Sequence, residues 1–140
     1  MITATRELDA PVRDVWAFLA EPFHLPDWWP GYSGVQPDRR GLASGARWQV
    51  RRSSRPGLLR KPGGEGLIII RSVDPPFSLA WHDVQQKLDI TVTLETAGER
   101  TLATVRVGGP WLRLLPEGAR SLPKKSLERL ANLIQTSASL

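Results

Sequence analysis

The apolar positions of this 140-residue chain follow two periods, one typical of strands and one of helices. Ile2 to Leu8 combines β-branched residues with partial alternation and predicts an opening strand. The next apolar residues recur at i, i+3, i+4 and i+7 and form one stripe of a helix: Val12, Val15, Trp16 and Leu19. Asp9 is the expected cap of this helix, and Pro22 ends it because proline cannot continue a helix.

Alternation with a period of two predicts a series of strands separated by turns rich in glycine and proline. They are Ser33–Gln36, Ala46–Ser54, Gly66–Val73, Phe77–Val84, Leu88–Glu95 and Thr101–Val107. Leu67 to Ile70 is a continuous apolar run, which is typical of a strand covered on both sides. Arg55 to Gly66, with its prolines, glycines and charges, predicts a long mobile hairpin loop. Strands this closely spaced favour an antiparallel meander.

The last part of the chain returns to a helical period. Ser121 is a good cap with Pro123 in the first turn, and the apolar residues that follow have helical spacing: Leu127, Leu130, Ala131 and Ile134. Before this helix, Trp111 to Leu115 forms an apolar cluster. The predicted order is therefore a strand, two short helices, about six strands and a long closing helix, which is an α+β fold.

Aromatic residues are concentrated between Phe23 and Gly31, where Trp28 and Trp29 are adjacent. Two neighbouring tryptophans cannot easily both point into a small core. We therefore expect at least one of them to line a groove or the wall of a cavity.

Two segments give this order a family resemblance. They are DAPVRDVWAFL at Asp9–Leu19 and LPDWWPG at Leu25–Gly31, and they resemble the START-like (SRPBCC) superfamily. This superfamily has the helix-grip fold, shared by polyketide cyclases, lipid-transfer domains and relatives of the birch-pollen allergen. The resemblance covers nearly the whole chain and implies one domain over residues 1–140. It also implies a curved antiparallel sheet wrapped around a long C-terminal helix.

A sheet bent around one amphipathic helix leaves an elongated apolar cavity between them, and the resemblance implies that this cavity is the ligand site. It places Trp28, Trp29 and Tyr32 near the mouth of the cavity. Trp48 and Trp81 then lie on strands that face inside. Trp111 forms a lid together with the closing helix.

Few side chains in the sequence suggest catalysis or metal binding. His82 and Asp83 are adjacent on a strand, so they point to opposite faces and cannot form a couple. If Trp81 faces inward, Asp83 does too and is a weak candidate acid or base, although we favour a solvated Asp83 at the strand end. His24 with Asp27 lacks a third ligand, so no metal site is predicted.

The absence of known catalytic and nucleotide-binding motifs from the sequence excludes several classes of function. There is no nucleophile elbow, P-loop or dinucleotide fingerprint, and we expect no cofactor. Three strand arginines remain possible anchors for a carboxylate or phosphate on an apolar ligand, although an outward orientation is commoner: Arg51, Arg52 and Arg106.

Composition and charge indicate a cellular compartment and define a basic segment of the chain. The chain lacks cysteine, a signal peptide pattern and an apolar run long enough to cross a bilayer, so we expect a cytoplasmic protein. Its net charge is +5, and Arg39 to Lys61 contains eight basic residues and no acidic one. No nucleic-acid-binding motif accompanies this segment, so we interpret it as a solvated face and do not expect nucleic acid as a partner.

Three functions fit these patterns. The first is a binding module that carries a hydrophobic small molecule such as a lipid, polyketide or aromatic. The second is an enzyme of the aromatase/cyclase or dehydratase kind, in which Asp83 or Tyr32 moves protons. The third is a regulatory interaction protein that uses the basic segment Arg39 to Lys61 or the loop Arg55 to Gly66, which is rich in proline and glycine.

Overall fold

The computed structural model describes residues 1–52, 64–110 and 120–138 as a curved sheet with helices packed on it. The strands are β1 (Ile2–Leu8), β2 (Tyr32–Gln36), β3 (Arg47–Arg52), β4 (Glu65–Asp74), β5 (Ser78–Asp83), β6 (Leu88–Ala97) and β7 (Arg100–Gly108). The helices are α1 (Val12–Ala20), a 3₁₀ turn (Pro22–His24), α2 (Leu25–Trp28) and α3 (Leu122–Ala138). The predicted order of elements is confirmed.

All strands join one antiparallel sheet in the order β1-β7-β6-β5-β4-β3-β2. From β2 to β7 each strand pairs with the next along the chain, so the predicted meander is confirmed. β1 then pairs with β7. Bulges interrupt the register between Tyr32 and Gly34 and between Ile70 and Ser72. Bulges of this kind bend and twist a strand, which suits a sheet curved around a helix.

One face of the sheet carries the core, because buried and exposed residues alternate along each central strand. In β4 the apolar run also alternates: Ile68 and Ile70 are buried, whereas Leu67 and Ile69 are half-buried. The strand is therefore shielded on both sides among the described residues, fully on its inner side and only in part on its outer side.

The helices bury most of the stripes that their sequences predict, although Trp16 and Ala131 are only half-buried. α3 packs against β1, β7 and α2, and buries Leu127, Leu130 and Ile134. α1 buries Val12, Val15 and Leu19. Its N-cap is Pro11 and no side chain caps it. The predicted cap, Asp9, instead approaches the Arg100 side chain at 3.4 Å.

Two predicted segments fall largely or wholly outside the described residues. They are the loop Arg55 to Gly66, except for its last three residues, and the apolar cluster Trp111 to Leu115. The proposed lid residue Trp111 belongs to the second.

Gly109, just after β7, has a backbone conformation that other residues rarely adopt. Its φ is +155°, and a Cβ built there would collide with the backbone oxygen of Lys87. We expect Gly109→Ala to lower the free energy of unfolding by about 1–3 kcal/mol or more, measured by urea denaturation. Gly34→Ala is the control, because its Cβ would meet only ordinary contacts. Equal stability of the two variants would contradict this strain.

Candidate functional site

Three buried tryptophans meet on the inner face of the sheet. Trp28 and Trp29 come from the end of α2 and Trp81 from β5, and none is more than 2% exposed. The ring centroids of Trp29 and Trp81 are 5.2 Å apart. The ring centroid of Trp28 lies 5.9 Å from that of Trp29 and 5.9 Å from that of Trp81. The interplanar angles of 81–83° show that the rings meet edge to face, which is a favoured geometry for aromatic pairs.

The backbone between α2 and β2 explains how both adjacent tryptophans turn inward. α2 ends at once, because Trp29 is extended (φ −95°, ψ 113°) and its backbone N–H closes the last turn on Leu25. Trp29 and Tyr32 then form a tight turn through a 3.3 Å backbone hydrogen bond. Gly31 lies in this turn, where a Cβ would be 3.0 Å from the indole nitrogen of Trp29. Both adjacent tryptophans are thus buried, although their sequence suggests that two such neighbours do not easily both point into a small core.

A hydrogen-bonded chain of polar groups crosses this apolar region. Trp81 Nε1–H donates to the Tyr32 hydroxyl oxygen at 3.2 Å, and the Tyr32 hydroxyl donates to Asp83 Oδ2 at 2.8 Å. The other carboxylate oxygen of Asp83 accepts the backbone N–H of Gln86 at 3.0 Å. Asp83 is 1% exposed. It therefore faces inward together with Trp81, and the solvated Asp83 that we favoured from the sequence is wrong.

Burial raises the pKa of Tyr32 well above its usual value, and the negative charge of Asp83 raises it further. Hydrogen bonding from Trp81 and the positive charge of Arg52 oppose this rise. Tyr32 is thus a phenol that keeps its proton in the folded chain. It can donate a hydrogen bond or a proton, whereas the carboxylate of Asp83 can accept one.

Tyr32 is the only tyrosine in the chain, so its titration can be observed directly by tyrosinate absorbance. We expect no tyrosinate signal near pH 10 in the folded protein and a normal titration near that pH in denaturant. Since only the unfolded chain loses the proton there, Tyr32 supports stability below about pH 10 and this support is lost as the pH rises further. Tyr32→Phe should remove that part of the pH dependence. Titration near pH 10 without unfolding would contradict a buried Tyr32.

Arg52 adds a positive charge beside this chain. It lies directly opposite Tyr32 in the pairing of β2 with β3. It also lies on the same face of β3 as the inward-facing Trp48 and Val50, because the three residues occupy alternate positions of that strand. The residue is half-buried. Arg51 and Arg106 are exposed, in keeping with the outward orientation that is commoner for strand arginines. Of the three possible arginine anchors, Arg52 is the one that faces the interior.

Comparison with known families identifies the chain. The model of the "Polyketide cyclase / dehydrase and lipid transport" family matches residues 1–135. The chain belongs to this family. Among curated proteins, none matches the chain.

Solved structures of low sequence identity share the fold. Protein Ms6760 from Mycobacterium smegmatis is 20% identical, with a TM-score of 0.72 over 96% of this chain and 90% of that one. The Aha1 dimer from Colwellia psychrerythraea is 16% identical, with a TM-score of 0.66 over 95% and 94%. DynU16, a putative protein in the dynemicin biosynthetic locus, is 19% identical, with a TM-score of 0.67 over 97% of this chain and 47% of that one. At these identities the likeness shows the helix-grip fold alone.

The fold of this family brings together five of the seven residues predicted to bind a ligand: Trp28, Trp29, Tyr32, Trp81 and Asp83. Trp28, Trp29 and Tyr32 are at most 2% exposed, so they lie in the interior and not at an open mouth. Trp48 is buried on the inner face, where its Nε1–H donates to the backbone oxygen of Gly41 at 2.9 Å. Trp111 lies outside the described residues.

The two histidines are engaged away from the site. His82 Nδ1 lies 2.8 Å from Asp89 on the outer side of the sheet, and His24 Nδ1 lies 2.8 Å from the backbone oxygen of Phe18. The described part of the chain contains no group of three or more His, Cys, Asp or Glu placed to hold a metal ion. No helix within it is long and apolar enough to span a bilayer.

An open groove of about 430 Å³ lies on β2 to β4, away from the tryptophans. Four of its seven lining residues are exposed and polar: Gln36, Gln49, Arg51 and Glu65. A site for an apolar ligand needs mostly apolar walls. This groove does not meet that requirement, whereas the residues around the three indoles are mostly apolar.

Proposed function

We propose that this chain is a cytoplasmic carrier that binds a hydrophobic small molecule on the inner face of its sheet, between the sheet and α3. The observation that carries the proposal is the buried series of hydrogen bonds from Trp81 through Tyr32 to Asp83, which lies among indole rings. Membership of a family described by polyketide cyclisation and lipid transport supports a hydrophobic ligand of this class.

The cost of burying Asp83 supports a role beyond packing. A carboxylate removed from water loses several kcal/mol of solvation, and apolar residues of similar volume often serve stability equally well or better. Here Asp83 is held by two neutral donors and has no ion pair within the described residues. A few polar groups placed among apolar walls are the usual means by which a pocket orients its ligand.

A cyclase- or dehydratase-like enzyme is the second candidate, and the 2.8 Å contact between Tyr32 and Asp83 favours it. Burial raises the pKa of Tyr32 and keeps its proton in place, so Tyr32 can donate a hydrogen bond to a ligand oxygen, while Asp83 suits the role of a base. Such an enzyme would bind the same class of ligand and then move a proton within it. The two functions therefore share a site and differ in whether the ligand changes.

Native mass spectrometry of freshly purified protein tests the proposal. We expect a mass increment that organic solvent extracts as an apolar compound and that is absent after delipidation. Protein without any increment, and without uptake of an added lipid or aromatic mixture, would contradict the carrier and the enzyme together. That result would leave an interaction role for the exposed arginines of the basic segment, such as Arg39, Arg40 and Arg47.

Asp83→Asn separates the carrier from the enzyme, because it keeps the shape of the side chain but removes its charge and its ability to act as a base. With a carrier, we expect the variant to retain the same co-purified compound. With an enzyme, the variant should accumulate a different compound, the unconverted substrate. High-resolution masses of the extracts distinguish these outcomes.

A further inference from the structure

Arg52 holds a polar atom that has no partner in the described part of the chain. Within the described residues, Arg52 Nε is the one buried side-chain nitrogen or oxygen without a hydrogen-bond partner. A buried donor left unpaired costs about 1–3 kcal/mol, more when the group is charged, and native structures keep few of them. The exception on the inner face therefore needs a physical reason.

The neighbouring acid does not supply that partner. Asp83 Oδ2 accepts from Tyr32 and Oδ1 accepts from the backbone of Gln86, and none of the ion pairs among the described residues includes Arg52. The Trp81–Tyr32–Asp83 chain is thus complete in itself. Among residues 1–52, 64–110 and 120–138, the guanidinium of Arg52 is the group that still lacks an acceptor for a buried N–H.

The guanidinium of Arg52 lies close to Gly64, which directly precedes the neighbouring strand β4. Arg52 N–H donates to the Gly64 oxygen at 3.0 Å, and a Cβ on Gly64 would lie 3.1 Å from Arg52 Nη2. The absence of a side chain at Gly64 leaves the room that the guanidinium uses. Opposite residues in an antiparallel pair have Cβ atoms about 4.5–5.5 Å apart, so the Arg52 side chain starts next to that of Tyr32.

We propose that Arg52 binds an oxyanion on the ligand, so that the hydrophobic molecule is an acidic amphiphile whose carboxylate, sulfonate, phosphate or phenolate oxygen accepts from Nε–H. This inference rests on the proposed function, since it specifies the ligand of the same site. An anionic acceptor matches the guanidinium better than a neutral one, because charge-assisted hydrogen bonds are about twice as strong. The apolar body of the ligand then lies against the tryptophans.

Two dyes with the same apolar body test the inference: 1-anilinonaphthalene-8-sulfonate, which carries an oxyanion, and N-phenyl-1-naphthylamine, which does not. Binding of each is measured by fluorescence titration of the folded protein. We expect Arg52→Gln to weaken binding of the sulfonate about tenfold or more and to leave the neutral dye within about twofold. Arg51→Gln, on the exposed side of the same strand, should change neither dye by more than about twofold.

The outcomes separate this inference from the proposed function. If the wild type binds neither dye, both are wrong. If it binds the neutral dye but Arg52→Gln leaves the preference for the sulfonate unchanged, only the role of Arg52 is wrong.

Should near-UV circular dichroism show that Arg52→Gln does not fold, Arg52→Lys replaces it, because lysine keeps the charge and loses Nε–H. That variant should weaken sulfonate binding alone, and an equal effect on both dyes would overturn the inference.

Discussion

Trp81→Ala is expected to lower the free energy of unfolding by about 3–5 kcal/mol. The indole is 1% exposed, makes edge-to-face contacts with Trp28 and Trp29, and donates to the Tyr32 hydroxyl. Its removal opens a cavity and leaves a buried hydroxyl with one partner fewer. Urea denaturation followed by far-UV circular dichroism measures the loss.

Trp16→Ala is the matched control, because Trp16 is half-buried on α1 and lies outside the tryptophan cluster. It removes the same number of atoms and should cost less. A Trp81→Ala variant no less stable than Trp16→Ala would show that the three indoles do not pack as described.

Asp83→Ala is also expected to lower the free energy of unfolding, by about 1–3 kcal/mol for each of the two donors that lose their acceptor. These donors are the Tyr32 hydroxyl and the backbone N–H of Gln86. Asp89→Ala is the control, since it removes an exposed carboxylate whose pairing with His82 contributes at most about 1 kcal/mol. Urea denaturation at neutral pH compares the two, and equal losses would contradict a buried, bonded Asp83.

A double-mutant cycle isolates the contact between Tyr32 and Asp83. Tyr32→Phe and Asp83→Ala each remove one side of the 2.8 Å hydrogen bond, and residues in direct contact have coupling energies of about 0.5–3 kcal/mol. Additive losses would mean that the two side chains act independently.

Alternation along β5 was enough to predict from the sequence that Trp81 and Asp83 share a face. It could not predict that Asp83 is buried, because the partner that makes burial tolerable, Tyr32, lies 51 residues away in the chain. The sequence pattern showed an isolated acid, for which a solvated position is the ordinary expectation. The fold supplies the phenol and the backbone N–H of Gln86 that change this outcome.

The tryptophan pair shows a similar limit. Sequence identified Trp28 and Trp29 as unusual, but their directions depend on where a four-residue helix ends and on a turn that passes through Gly31. Pro26, Pro30 and Gly31, which flank the pair, are a sequence signal for a turn at this point. Arg52 is one of three possible arginine anchors in sequence, and alternation already places it on the strand face of Trp48 and Val50. What sequence could not predict is the register of β2 with β3, which sets Arg52 opposite Tyr32.

The side-chain N–H signals of the six tryptophans, assigned by single replacements with phenylalanine, give the most direct test of an interior binding site. A ¹H–¹⁵N correlation spectrum is recorded while N-phenyl-1-naphthylamine is added. We expect the signals of Trp28, Trp29 and Trp81 to shift together and to saturate at one equivalent of the dye. Saturable binding that leaves all three unchanged would place the ligand elsewhere and contradict the site proposed for this chain.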